Sequence, residues 1–216
     1  MSRHRDIPGA LGGSRILAHP EVAAVVATLH AKLLEGRPTL VEVGFDHGRR
    51  LSSTAAANPD WTVIGLEVRK RRVAEMHAWA DREALANLHA FRLDARAIFA
   101  NALLPARIDI VEVLFPTPWP EGKARKRLLL TPDFLADAAE ALRPGGLLYV
   151  ATDVAWYADL ITSASAAVST DVLAQVSVDT ALERRPPCPQ QSRREWVCER
   201  DGLPVYRFAW ERPTTQ

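Results

Sequence analysis

From Pro20 the stretch EVAAVVATLHAKLLEG places apolar residues at helical spacing and stops at Gly36, which predicts a first helix. The rhythm then changes. Short runs rich in Val, Ile and Leu occur at residues 39–44 (TLVEVG), 62–68 (TVIGLEV), 88–94 (LHAFRLD), 108–115 (IDIVEVLF) and 146–153 (GLLYVATD), and each predicts a strand. Helical spacing returns near 49–57, 70–86, 131–143 and 154–167. Strands of near-continuous apolar character that alternate with helices imply a parallel sheet covered on both faces, a doubly wound α/β fold. Two further strands are expected at 172–179 and 204–211, with an irregular Pro-, Arg- and Gln-rich loop at 183–195 between them. Residues 1–18 mix Arg, Gly and Pro without periodicity and read as a flexible N-terminal arm; residues 19–216 read as one domain.

Composition narrows the function classes. Of 216 residues, 48% are hydrophobic and 25% charged, and the net charge is +1, so no whole-molecule field drives the chain onto nucleic acid or anionic membrane. A polyanion site has to be a local patch. Cys188 and Cys198 lack partners at metal-ligand spacing, so no metal site is expected and both read as reduced thiols. No apolar run approaches membrane-spanning length, and the N-terminus carries charges where a signal peptide has its apolar core; a cytoplasmic location is expected.

In open α/β sheets ligands bind beyond the carboxyl ends of the strands, where strand order reverses. The first strand ends in Glu42-Val43-Gly44-Phe45-Asp46-His47-Gly48, and Glu67 ends the second. Glycines at such a turn let the backbone approach a ligand, and a carboxylate ending the second strand suits the hydroxyls of a ribose. A nucleoside-containing cofactor is implied. Asp46 occupies the place where a pyrophosphate needs an uncharged cradle of amides, which disfavours a dinucleotide and favours a cationic ligand such as S-adenosylmethionine. Asp94, at the end of the third strand, suits the adenine amino group in the same scheme, although acids in such places also serve as helix caps.

The fourth strand runs into Pro116-Thr117-Pro118-Trp119, whose prolines fix an extended backbone and whose indole offers a stacking face. Lys123, Arg125, Lys126 and Arg127 follow, either as a solvated loop or as a phosphate-binding patch. A second basic run, Arg69 to Arg72, opens the helix after Glu67 and opposes its macrodipole, so that polyanion or solvent must favour it.

These residues resemble the bacterial tRNA (guanine-N7-)-methyltransferases of the TrmB type. EVGFDHG is similar to that family's E-(I/V)-G-F-G-x-G, and NPDWTVIGLEV to its strand ending in glutamate. FPTPW with KARKR resembles FPDPW and the basic run after it, ATDVAWYA resembles TD-x-x-x-YA, and Ser192-Arg193-Arg194-Glu195 falls where the family has T-(K/R)-(F/Y)-E. The resemblance spans residues 40–160 and 190–212. It implies a class I methyltransferase fold with a seven-strand, mostly parallel sheet and S-adenosylmethionine as cofactor, held by Glu42, Gly44, Asp46, Gly48, Glu67 and Asp94. The implied substrate is a guanine in tRNA, contacted by Trp119, Lys123, Arg125, Lys126, Arg127, Asp153, Ser192, Arg193 and Glu195. Lys123 stands in for the family's early lysine, although the spacing after Trp119 puts Glu121 there. The candidate catalytic residues are Asp153 and Thr117, the latter at the family's central acid. Departures are Thr117 for that acid, Asp46 for a glycine and Arg194 for an aromatic. Thr117 offers one hydroxyl where an acid offers two charged oxygens, which leaves room for methylation of a small purine-like or other heterocyclic metabolite. A non-catalytic S-adenosylmethionine-binding subunit and a nicotinamide-dependent oxidoreductase complete the alternatives.

Overall fold

The computed structural model describes residues 20–119 and 127–214. The arm at 1–18 and the candidates Lys123, Arg125 and Lys126 lie outside the described residues. The expected alternation is present. Helix α1 (Pro20–Leu33) leads into β1 (Thr39–Val43), α2 (Arg49–Ala57), β2 (Thr62–Leu66), α3 (Lys70–Arg82) and β3 (Leu88–Phe91). Then come α4 (Ala95–Asn101), β4 (Ile108–Leu114), α5 (Pro132–Ala141), β5 (Leu142–Thr152) and α6 (Ala155–Ala166). The chain closes with β6 (Ala174–Gln175), α7 (Val178–Arg184), α8 (Arg193–Asp201) and β7 (Tyr206–Glu211).

The sheet has seven strands in the order β3-β2-β1-β4-β5-β7-β6. Strands β1 to β5 pair in parallel, while β7 runs antiparallel to both β5 and β6. Order reverses between β1 and β4, so the carboxyl ends of those two strands open the crevice where an α/β sheet binds its ligand. Side chains of α1, α4, α5 and α6, among them Leu29, Ile98, Phe134 and Ile161, cover one face. Leu51, Ala55, Met76 and Ala181 of α2, α3 and α7 cover the other. Each large apolar side chain so buried contributes about 1.5–3 kcal/mol relative to exposure.

The tail departs from expectation in two places. The strand expected over 172–179 is only Ala174–Gln175, because Ser177 accepts the amide of Thr180 (3.0 Å) and starts α7 instead. The expected loop at 183–195 contains the end of α7 and the start of α8. Helix α4 was likewise missing from the sequence pattern; Asp94 caps it, and Ile98 and Phe99 bury it.

Candidate active site

The crevice is a cleft of about 740 Å³ at the ends of β1 to β5, within the size range of small-molecule sites. Its floor is the turn between β1 and α2. Gly44 and Gly48 sit in the left-handed region (φ 78 and 66), and a Cβ on Gly48 would come within 1.8 Å of the Met76 methyl. Asp46 is left-handed as well (φ 46), a conformation that costs an L-residue roughly 1–2 kcal/mol and that Asp tolerates better than most. Gly44, Asp46 and Gly48 all line the cleft.

Three carboxylates line the same half. Glu67, 4% exposed, ends β2 with both oxygens engaged. Its Oε1 accepts the Arg69 amide (3.0 Å) and Nε (3.2 Å), and its Oε2 accepts Arg69 Nη2 (3.0 Å) and the Asp46 amide (3.3 Å). Asp94 accepts the Arg96 amide (3.1 Å), which caps α4, and is paired with the Arg96 guanidinium (2.6 Å). Glu42, 3% exposed, differs: its Oε2 is buried without a hydrogen-bond partner among the described residues. Burial and then the like charge of Glu112 push its pKa up to about 8, against the weaker pull of Arg50 and Arg185.

The charge of Asp46 does not face the cleft uncompensated, as the sequence suggested. Arg69 (2.8 Å) and Arg72 (3.3 Å) take it up. That pairing also accounts for the basic run at the start of α3, because Arg71 and Arg72 reach Glu75 one turn later (2.7 and 2.8 Å). Three of the four cations of the run, Arg69, Arg71 and Arg72, are thus paired within the molecule.

Sequence reasoning missed the cluster beneath Glu42. Glu42 and Glu112 are register partners on adjacent strands, and Tyr149 is the next in the same row. Glu112 is fully buried. Arg50 grips both of its oxygens (3.0 and 2.9 Å) and Arg185 one (2.6 Å), with the Arg185 guanidinium 3.9 Å from the centre of the Tyr149 ring. Burial alone would raise the Glu112 pKa, but the two guanidiniums outweigh it and hold it at about 2. A signal was present: Val-Glu-Val interrupts both β1 and β4 at matching places. Acids inside apolar strands need partners.

The other half of the cleft begins where β4 ends. Phe115 adopts φ 51, and its amide donates to Ala151 O (2.7 Å). This left-handed residue turns Pro116 to Trp119 across the cleft mouth, where Thr117 is exposed and Trp119 half-buried. Arg127 lies over the Trp119 ring at 5.2 Å. Opposite, Asp153 ends β5 and accepts two donors of Arg194, the Nε at 3.0 Å and Nη2. Ser192 caps α8 by accepting the Glu195 amide (3.1 Å), and Arg193 reaches His47 (3.1 Å). Thr117, Trp119, Arg127, Asp153, Ser192 and Arg193 therefore line the cleft together with the carboxylates. Glu195 does not; it receives Arg207 (2.8 Å) beside α8. Ser192 thus caps α8 and the Glu195 side chain pairs with Arg207, at two positions where the resemblance implies substrate contact.

Comparison with known proteins adds the family. Residues 36–208 match the model of a family described as a putative methyltransferase. A tRNA (guanine-N(7)-)-methyltransferase of Alkalilimnicola ehrlichii is 31% identical over 167 residues, which cover 77% of this chain and 67% of that protein. One from Synechococcus sp. (strain JA-3-3Ab) is 29% identical over 82% of this chain and 73% of its own. Among solved structures, the 16S rRNA (adenine(1408)-N(1))-methyltransferase of Catenulisporales acidiphilia superposes with a TM-score of 0.57 at 18% identity, covering 88% of this chain and 94% of that one, a likeness of fold. A methyltransferase sheet whose reversal point carries the cleft, together with this similarity over most of the chain, places the protein in the methyltransferase family of the tRNA (guanine-N(7)-)-methyltransferases.

Proposed function

We propose that the protein transfers the methyl group of S-adenosylmethionine to N7 of a guanine in tRNA. The observation that carries this reading is the two-sided cleft: an acidic half with one unspent buried oxygen, Glu42 Oε2, faces a half built from Thr117, Trp119 and Asp153. A buried acceptor without a partner suits a ligand that brings donors or positive charge. Glu42 would receive the cationic end of the cofactor, Glu67 its ribose hydroxyls and Asp94 its adenine. Glu67 is free for that role once Arg69, whose side chain is 52% exposed, turns to solvent. The cofactor supplies an electrophilic methyl group on a sulfonium.

The chain's own part is alignment. Guanine N7 carries a free lone pair, so no residue has to remove a proton before attack. Trp119 presents a ring for stacking, Asp153 an acceptor and Thr117 a hydroxyl, which together would hold the base edge-on to the acidic half. Arg127 and Arg193, exposed at the mouth, suit the flanking phosphates. A cytoplasmic enzyme fits the two free cysteines and the lack of any described helix long and apolar enough to cross a membrane.

The test is nucleoside mass spectrometry of tRNA incubated with the protein and labelled cofactor. Labelled 7-methylguanosine is expected, and tRNA recovered unmodified would defeat the proposal. Thr117, with its single hydroxyl, favours a second reading, transfer to a small purine-like metabolite. Turnover of free purines that needs no RNA and persists in high salt would establish it, because phosphate-dominated binding weakens steeply with salt.

A further inference from the structure

Arg194 has no assigned role, yet it donates twice to an acid in the acceptor half of the cleft. It leaves the first turn of α8 and lays Nε and Nη2 on one oxygen of Asp153, Oδ2, across 41 positions of sequence. The other oxygen, Oδ1, accepts no hydrogen bond among the described residues. Asp153 itself is 11% exposed and Arg194 48%. An ion pair with one partner so exposed contributes little to stability, and α8 does not depend on it. The helix has its own cap at Ser192, a buried Cys198 and the Arg207–Glu195 pair. What the contact does fix is the orientation of a carboxylate whose second oxygen is uncommitted in the cleft that Thr117 and Trp119 also line.

We infer that Arg194 is a positioning residue that anchors Asp153 by Oδ2, so that Oδ1 selects a purine edge bearing N–H donors. This rests on the reading of the cleft as a purine-methylating site. A carboxylate held by a guanidinium only accepts hydrogen bonds. It therefore suits guanine, whose ring N1 and amino group both donate on one edge, and penalises adenine, whose N1 accepts. With Thr117 contributing a single hydroxyl, this discrimination falls on Asp153, and its precision on Arg194.

Two measurements separate this inference from the reading beneath it. Guanosine and adenosine are titrated by ligand-observed NMR into protein loaded with S-adenosylhomocysteine, for the unaltered chain, Arg194→Ala and Arg194→Lys. The unaltered protein should prefer guanosine by about tenfold, the scale of one or two discriminating hydrogen bonds. Arg194→Ala should erase the preference and Arg194→Lys retain part of it, with melting temperature and S-adenosylhomocysteine affinity unchanged. A preference that survives Arg194→Ala, or no preference in the unaltered protein, overturns the inference. Mass spectrometry of tRNA reads the underlying function separately: guanosine preference without tRNA methylation removes that function alone, and tRNA methylation with preference indifferent to Arg194 removes the inference alone.

Discussion

Arg185, from the segment after α7, donates to Glu112 in the middle of β4 over 2.6 Å, both side chains being buried. A residue near the C-terminus thereby closes the charge balance under the cofactor half of the cleft. The same segment continues through Cys188 to Ser192, Arg193 and Arg194, so the contact also sets where α8 meets the cleft.

Removing that guanidinium should cost far more than a surface pair. Arg185→Ala leaves Glu112 with Arg50 alone and removes one hydrogen bond to a buried charge, which costs about 1.5–3 kcal/mol. Urea denaturation should show a loss on that scale. A loss below about 1 kcal/mol would mean that water replaces Arg185 without penalty.

The paired glutamates give opposite pH trends. Glu42 has its pKa raised from 4.5 to about 8. Between those values the unfolded chain has released a proton that the folded chain keeps, so its contribution to stability falls as pH rises through that window. Glu112 is lowered from 4.5 to about 2. Its contribution is complete above 4.5 and is lost as pH falls toward about 2. Glu42→Gln should flatten the decline between pH 5 and 8 in denaturation series. A decline of equal slope in Glu42→Gln would assign it to another group.

Cofactor binding should release that proton, since a cation beside Glu42 favours its charged form. Calorimetry of S-adenosylmethionine binding near pH 7, in buffers of different ionisation enthalpy, should therefore report proton release that disappears in Glu42→Gln. Heats independent of buffer would place the cation elsewhere.

Glu67→Ala should lower S-adenosylmethionine affinity at least about a hundredfold, the worth of two charge-assisted hydrogen bonds. Calorimetric affinity that survives the change would remove Glu67 from the cofactor site.

Thr117→Asp adds a second, charged acceptor at the cleft mouth. The KM for tRNA should fall about tenfold if the base is gripped there by its N–H groups. A KM that stays the same or rises would indicate an acceptor that does not present donors to this position.

Much of this molecule is legible in one dimension because its first five strands are mostly apolar and its major helices carry apolar residues at regular spacing. TLVEV, TVIGL and IDIVEVL have no face that tolerates water, so a sheet covered on both sides is the available solution. The glycines of the β1 turn and the acids that end β1, β2 and β3 mark the cleft for the same reason: the strand ends of such a sheet are where ligands fit. Helix α8 escaped because RREWVCERD buries only Cys198, leaving no apolar period to read. Its Ser192-x-x-Glu195 start and Gly202 stop were the remaining signs.

The sequence by itself determined the layers of the sheet, the place of the cleft and the family, all of which follow from local periodicity or from short contiguous motifs. Only the tertiary structure decided which charges are spent and which are left over. Asp46 is balanced by Arg69 and Arg72, Glu112 by Arg50 and Arg185, and Asp153 by Arg194, while Glu42 keeps a bare oxygen. Ion pairing acts through space over a few ångströms, and the partners of Glu112 and Asp153 stand 41 to 73 positions away along the chain. No local pattern encodes such distances; packing does.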